Sequence, residues 1–226
     1  MSISIVIPIY NNWKHTHPLL FDIYNNFPQD TEIIVADDCS TDEEVMTGLN
    51  WWQTGLLKDR LRVIRNEKNV GFLRNSNFAV SKASNEIVAL ISNDVRISDK
   101  TVASKLKEIF AQSTGFTLVG NRLLDWDTGW NTIDGKIYPY LEGWFLAFKK
   151  SEWETVGGFD TRYTTCDFED VDLSTTYLAG GGHLVFLGAE MLHVGAQSYK
   201  YSPEREANTK ENQERWRNKW TNKLNT

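Results

Sequence analysis

The residues best suited to catalysis are the carboxylates of the run Asp167-Phe168-Glu169-Asp170-Val171-Asp172. Four acidic side chains within six residues repel one another, so a folded protein keeps them together only with a cation, a shared proton or a function. At a helix start, Glu169 and Asp172 would share one face, while Asp170 would point about 100° away from Glu169. A helix N-terminus favours negative charge by about 0.3–1 kcal/mol per residue. The run is therefore either an acidic helix start or a catalytic base at the mouth of a cleft.

A second candidate group combines a carboxylate with a histidine. Asn93-Asp94 closes a short apolar run, and a carboxylate there is a hard oxygen ligand suited to Mg²⁺ or Mn²⁺ on a diphosphate. His193 follows another short apolar run and is a candidate second ligand. A metal site and a purely structural role both stay open, because Asn-Asp is also common in turns and a lone histidine is more often a structural residue.

Asp37 and Asp38 also follow an apolar run. At the carboxyl end of a strand in a doubly wound sheet, an acidic residue is well placed to accept from a ribose hydroxyl or a base N–H. The alternative is plain turn chemistry. Ser40 or Thr41, followed by acidic residues, is predicted to be the N-cap of the next helix.

Aromatic residues cluster between these groups and the acidic run. They are Trp126, Trp130, Tyr138, Tyr140, Trp144 and Phe145, and the chain has nine tryptophans in all. An aromatic core is one interpretation, but several of these residues stand in polar turns rich in Gly and Asp, where burial is difficult. Flat apolar faces with polar rims suit sugar rings, which favours a wall for an acceptor.

The elements that must position these residues are predicted from apolar periodicity. Runs that suit buried strands cover roughly residues 3–9, 31–36, 61–64 and 86–91, and helical segments lie between them. This βαβαβαβ order predicts an α/β fold with a mostly parallel sheet flanked by helices and with ligands outside the carboxyl ends of the strands. The polar residues that follow the four runs are Asn11, Asp37-Asp38, Asn66 and Ser92-Asn93-Asp94.

The second half of the chain has a different pattern. Short strands and Gly-rich turns after a helix at about 99–112 indicate a mixed α+β half, in which Ser151 is predicted to cap a short helix. A charged C-terminal helix begins near residue 203. It carries Trp216, Trp220 and Leu224 at i, i+4 and i+8, which favours docking on the domain. Its basic residues leave contact with a membrane surface as the alternative.

Composition narrows the class of protein. The 226 residues are 41% hydrophobic and 24% charged, which suits one globular domain. A net charge of −6 argues against a nucleic-acid binder, which would normally show a basic face. The first residues show no basic stretch or small-residue cleavage site, and no apolar run reaches about 20 residues. We therefore expect no signal peptide and a cytoplasmic protein without a transmembrane segment. Cys39 and Cys166 are predicted to be free thiols.

Together the motifs resemble those of the family 2 glycosyltransferases, which have the GT-A fold. The Glu-Asp-Val-Asp-Leu run is most similar to that of the rhamnosyltransferase-like branch. The matching segments cover nearly the whole chain and are Ile7–Asn11, Asp37–Asp42, Asn69–Phe72 with Asn75 and Asn77, Ser92–Asp94, Gly157–Asp160, Phe168–Leu173, His193 and the Arg215-Trp216…Lys219-Trp220 tail.

The resemblance implies one domain, 1–226, with a nucleotide-sugar half at about 1–97, an acceptor and catalytic half at about 98–200 and a C-terminal helix at about 201–226. It implies an inverting transferase that uses a UDP, dTDP or GDP sugar, a glycan or other hydroxyl acceptor, and Mn²⁺ or Mg²⁺. Asp170 matches the catalytic base, with Glu169 as the second choice, and Asp94 and His193 match the metal ligands. The residues implied to hold the nucleotide sugar are Pro8, Tyr10, Asn11, Asp37, Asp38, Gly71, Arg74, Asn93 and Asp94.

One departure from the family motif keeps a rival open. Ser92 stands where the metal motif has its first Asp, which favours a degenerate protein that binds a nucleotide sugar without turning it over. A nucleotidyltransferase is a third class, but it would normally need a Gly-rich and basic loop after the first strand. Here that loop is Tyr10-Asn11-Asn12-Trp13.

Overall fold

The computed structural model describes residues 1–164, 167–195 and 203–224. The strands are β1 (Ile3–Ile9), β2 (Glu32–Asp37), β3 (Leu61–Arg65), β4 (Ile87–Ile91), β5 (Val95–Ile97), β6 (Thr117–Gly120), β7 (Leu123–Leu124), β8 (Thr132–Ile133), β9 (Lys136–Ile137), β10 (Tyr140–Leu141), β11 (Phe145–Lys149), β12 (His183–Phe186) and β13 (Met191–His193). The helices are α1 (Trp13–Asn26), α2 (Glu43–Thr54), α3 (Phe72–Ser81), α4 (Val102–Gln112), α5 (Lys150–Val156), α6 (Glu169–Ala179) and α7 (Pro203–Leu224).

A seven-stranded sheet with the order β12-β6-β11-β4-β1-β2-β3 forms the centre of the fold. Neighbouring strands are parallel except where β11 lies antiparallel between β4 and β6. The predicted mostly parallel sheet is therefore confirmed. The predicted α+β half adds the antiparallel pairs β10-β7, β13-β5 and β8-β9.

The core lies on both faces of this sheet. Every residue of β1 is buried, and its alternate side chains point to opposite faces. Ile5 packs with helices α1, α2 and α4 on one face, and Val6 packs with α3, α6 and α7 on the other. A nearly continuous apolar run is what such a two-sided strand requires.

Two predicted helix caps are wrong. The N-cap of α2 is Asp42, whose carboxylate accepts from the N–H of Glu44 at 3.0 Å. The Ser40 hydroxyl does not cap α2; it accepts from the backbone N–H of Asn11 at 2.7 Å. Ser151 lies inside α5, and its hydroxyl donates to the carboxylate of Glu86, the residue directly before β4.

The C-terminal helix docks on the domain, as predicted. Trp216 and Trp220 are 0% and 4% exposed, while the side chain of Leu224 lies outside the described part of the chain. Cys39 is a free thiol, as predicted, and Cys166 lies outside the described residues. None of the described helices is both long and apolar enough to cross a membrane.

Candidate active site

A cavity of about 1030 Å³ opens at the carboxyl ends of β1, β2 and β4. The loop after each strand contributes to it, as expected for an open α/β sheet. The first turn of α6 and the first turns of α7 also line it. The predicted site residues that line it are Pro8, Tyr10, Asp38, Gly71, Asn93, Asp94, Trp130, Trp144, Glu169, Asp170 and His193.

Asn11 and Asp37 do not line the cavity. The Asn11 carboxamide oxygen accepts two backbone N–H groups of the loop before α2, at 2.8 and 3.0 Å. Asp37 is fully buried, forms an ion pair with Arg65 and accepts from the N–H of Ser40 at 2.9 Å. Both side chains therefore fix the loop that borders the cavity.

Arg74 and Trp126 also lie outside the cavity lining. Arg74 is exposed on α3, and Trp126 is 53% exposed in the turn after β7. Asp38, by contrast, lines the cavity and accepts from the N–H groups of Val70 and Gly71 at 2.9 and 2.8 Å. Gly71 has a φ of +87°, a value that favours glycine. Asp38 thus sets the shape of the wall before α3.

Asp94 and His193 meet at one side of the cavity. The Asp94 Oδ1 and His193 Nε2 atoms are 3.3 Å apart, and the imidazole stacks on Trp144 with ring centroids 5.3 Å apart. Burial opposes ionisation of Asp94, but the hydrogen bond and charge of His193 outweigh it and lower the pKa of Asp94. The pairing of β13 with β5 produces this contact, because His193 is opposite Val95.

This pair is compatible with a divalent ion. No cluster of three or more His, Cys, Asp or Glu side chains suited to a metal occurs among the described residues. Magnesium-type sites commonly use only one or two carboxylates and take their other ligands from substrate phosphates and water. Two converging donors beside an open cavity fit that chemistry, while Ser92 lines the cavity without supplying a carboxylate.

Glu169 and Asp170 begin α6 and face the same cavity. Asp170 accepts from the N–H of Gly143 at 2.9 Å and from the N–H of Val171 at 2.8 Å. Burial raises the pKa of Asp170 to about 6, with the Glu142 charge adding to the rise. Burial, reinforced by the Asp170 charge, raises the pKa of Glu169 well above its usual range. Asp170 is thus suited to take up a proton near neutral pH.

The two carboxylates follow a turn of unusual backbone conformation. Asp167 and Phe168 have φ values of +84° and +76°. The left-handed region costs a residue with a side chain about 1–2 kcal/mol. Asp167 forms an ion pair with Arg205 at 2.7 Å, and Asp172 accepts from Lys219 at 2.6 Å. Asp167 and Asp172 therefore pair with basic residues of α7, which leaves Glu169 and Asp170 as the acidic pair at the cavity.

The cavity has further lining residues on β10, on the loop after it and on α7, of which only Tyr140 belongs to the predicted aromatic cluster. Glu142 lines the cavity, accepts from the indole N–H of Trp144 at 2.8 Å and lies 3.4 Å from Arg122. Burial raises the pKa of Tyr140 to about 12, with the charges of Asp170 and Glu142 adding to the rise. The first turns of α7 also contribute Arg205, Glu206 and Thr209. Glu142 stands among those aromatic residues in the sequence, whereas no local pattern marks the α7 residues.

The sheet and its flanking helices have the GT-A arrangement, and comparison with known proteins gives the family. Residues 4–167 match the family described as "Glycosyl transferase family 2", so the chain belongs to that family. A curated relative is "Glycosyltransferase GlyG" of Streptococcus pneumoniae serotype 4, 26% identical over 144 residues that make up 62% of this chain and 44% of the relative. The mouse "Inactive polypeptide N-acetylgalactosaminyltransferase-like protein 5" is 23% identical over 91% of this chain and 55% of the relative. The chain thus spans about half the length of these two relatives.

Solved structures share the fold. A mannosyltransferase from Pyrobaculum calidifontis in complex with GDP-Man and Mn²⁺ superposes with a TM-score of 0.66 at 21% identity, over 87% of this chain and 58% of that one. The structure of GalNAc-T7 with UDP, GalNAc and Mn²⁺ gives a TM-score of 0.74 at 16% identity, over 98% and 49% of the two chains. The GT-A fold is therefore confirmed.

Proposed function

We propose that this protein is an inverting glycosyltransferase that moves a sugar from a nucleotide-diphosphate donor to an acceptor hydroxyl. The observation that carries the proposal is that Asp170 and the Asp94–His193 pair line one cavity at the carboxyl ends of the sheet. Family membership and structural neighbours in complex with GDP-Man, UDP or UDP-GlcNAc support a nucleotide-diphosphate sugar as the donor. We propose that its nucleotide is UDP, dTDP or GDP. The Glu-Asp-Val-Asp-Leu run supports the rhamnosyltransferase-like branch.

In this mechanism Asp170 is the base, and Glu169 is the second choice. The acceptor O–H proton passes to the Asp170 carboxylate while the acceptor oxygen bonds to the anomeric carbon. The bond from that carbon to the diphosphate oxygen breaks, and the nucleoside diphosphate leaves with the electron pair. The Gly143 and Val171 N–H groups hold the carboxylate in place during the transfer.

Asp94 and His193 would hold Mn²⁺ or Mg²⁺ against the donor. When bound, the ion neutralises charge on the leaving diphosphate. The aromatic lining residues Trp130, Trp144 and Tyr140 would contact a glycan or another hydroxyl acceptor, since aromatic faces suit sugar rings. We propose a cytoplasmic location, with the exposed basic residues of α7, such as Arg217, as the candidate contact to the inner membrane surface.

A nucleoside-diphosphate release assay over a panel of nucleotide sugars and acceptors tests the function. Asp170→Asn should reduce release by roughly 10²–10⁴-fold, the usual effect of losing a positioned base. Calorimetric titration should show donor affinity retained in this variant and lower affinity without Mn²⁺ or in Asp94→Ala. The exposed Asp125→Asn, which lies outside the cavity lining, is the matched control.

The rival function is binding of a nucleotide sugar without turnover. Ser92 in the metal motif and the relative named inactive favour it. Donor binding without release for every acceptor in the panel would establish the rival. Near wild-type release in both Asp170→Asn and Asp94→Ala would show that the assigned residues are wrong.

A further inference from the structure

The turn before the acidic pair is held mainly by α7. Arg205 donates twice to the Asp167 carboxylate, at 3.0 and 2.7 Å, and Thr209 donates to the same group at 2.8 Å. The carboxamide of Asn212, which is 0% exposed, donates to the Asp167 carbonyl at 3.0 Å. Phe168 packs against Trp216 with ring centroids 6.0 Å apart. Both left-handed residues are therefore fixed from the same helix.

The contacts continue along α6. The indole N–H of Trp216 donates to the Thr175 hydroxyl at 3.2 Å. Lys219 and the indole N–H of Trp220 donate to Asp172 at 2.6 and 2.7 Å. Since α7 contacts the residues before, within and after the first turn of α6, it determines where that turn points.

We propose that Arg205 is a positioning residue: its paired hydrogen bonds to Asp167 hold the left-handed turn that presents Glu169 and Asp170 to the cavity. This inference rests on the proposed function for its catalytic consequence. The contact itself is independent of that function. A left-handed turn without glycine persists only when its surroundings hold it, and the bidentate pair supplies a fixed geometry that a lysine would not reproduce.

Arg205 also acts on the charge balance around Asp170. The carboxylate of Asp167 lies in the same segment, and its charge adds to the effect of burial that raises the pKa of Asp170. Arg205 offsets that charge. The other titratable or charged groups that line the cavity with Asp170 are Glu169, Tyr140, Glu142 with its partner Arg122, Glu206 of α7, His193 of β13 with its partner Asp94, and Tyr10 and Asp38.

Two substitutions should move the pH profile in opposite directions. In Arg205→Gln, the unpaired Asp167 charge should raise the pKa of Asp170 and move the acid limb of kcat/KM to higher pH. In Asp167→Asn, the loss of the Asp167 charge should lower the pKa of Asp170 and move the limb to lower pH. Both should lower kcat by about 10²-fold with donor KM unchanged, because a displaced base affects only the chemical step. Arg205→Lys should keep the wild-type limb with an intermediate kcat.

Arg217→Gln is the matched control, because it removes the same charge from the same helix. Arg217 lies about 18 Å further along α7 and donates to the Thr132 carbonyl. The inference would be overturned if kcat fell equally in Arg205→Gln and in the control and the acid limb did not move. That result would mean that both substitutions act only by lowering the stability of the protein.

Hydrogen exchange of the full chain without substrate tests the contact even if the enzyme proves inactive. The peptide covering residues 167–173 and the amide of Gly143 should exchange about tenfold faster in Arg205→Gln than in Arg217→Gln. Equal exchange would overturn the positioning role whatever the activity. An inactive wild-type protein with faster exchange in Arg205→Gln would refute the proposed function and leave the positioning role intact.

Discussion

Replacing Asp170 with asparagine should change how the free energy of unfolding depends on pH. Burial raises the pKa of this carboxyl from 3.8 to about 6, which corresponds to about 3 kcal/mol at about 1.4 kcal/mol per tenfold change. Between these two values the unfolded chain releases the proton while the folded protein keeps it. The folded state is therefore favoured below pH 3.8, and this contribution is lost as the pH rises to about 6.

Urea denaturation at pH 4 and pH 7 measures this effect. The wild-type protein should lose about 2 kcal/mol more stability between the two pH values than Asp170→Asn does, because the unfolded carboxyl is already more than half ionised at pH 4. The comparison across pH cancels the constant cost of the hydrogen bond that asparagine cannot make to one of the two N–H donors. Asp125→Asn should follow the wild-type curve.

Equal pH dependence in the wild type and Asp170→Asn would refute the reasoning. That result would mean that the folded protein leaves this carboxylate solvated. The raised pKa would then not explain a base poised near neutral pH, and the acid limb of the activity profile would need another residue.

Two further predictions concern stability. Trp216→Ala should lower the free energy of unfolding by about 3–5 kcal/mol in urea denaturation, since the side chain is 0% exposed. Trp126→Ala should change it by only about 0.5 kcal/mol in the same assay, since that side chain is 53% exposed. Similar losses would show that α7 does not dock through Trp216. Gly158→Ala should cost more than Gly157→Ala by thermal unfolding, because a Cβ at Gly158 would lie 2.6 Å from Trp153 Nε1 while one at Gly157 meets no atom within 4 Å. Equal melting temperatures would contradict this packing.

The first half of the fold could be predicted because its signals are local. Each buried strand of the parallel part is a short apolar run, and the polar residues after it, such as Asp38 and Asp94, come to one edge through topology alone. The position of β11 could not be predicted. A strand with both faces buried has the same residue pattern in either direction, so Phe145–Lys149 does not encode its antiparallel place between β4 and β6.

The site divides in the same way. Asp170 could be selected from its motif, but its contact with the Gly143 amide joins residues 27 positions apart. The role of Arg205 depends on α7 lying across the start of α6, and a charged helix start carries no sign of its partner. The predicted caps failed for a related reason, because Ser40 and Ser151 bond to residues distant in sequence.

The antiparallel place of β11 also determines which edge of the sheet stays unpaired while the chain is being synthesised. Strand β4 is complete at Ile91, but the strand that covers its outer edge begins only at Phe145. During synthesis of the residues between them, the nascent sheet presents an open edge of buried-type side chains with unpaired N–H and C=O groups. A product truncated in this interval keeps that edge and is prone to pair with another copy.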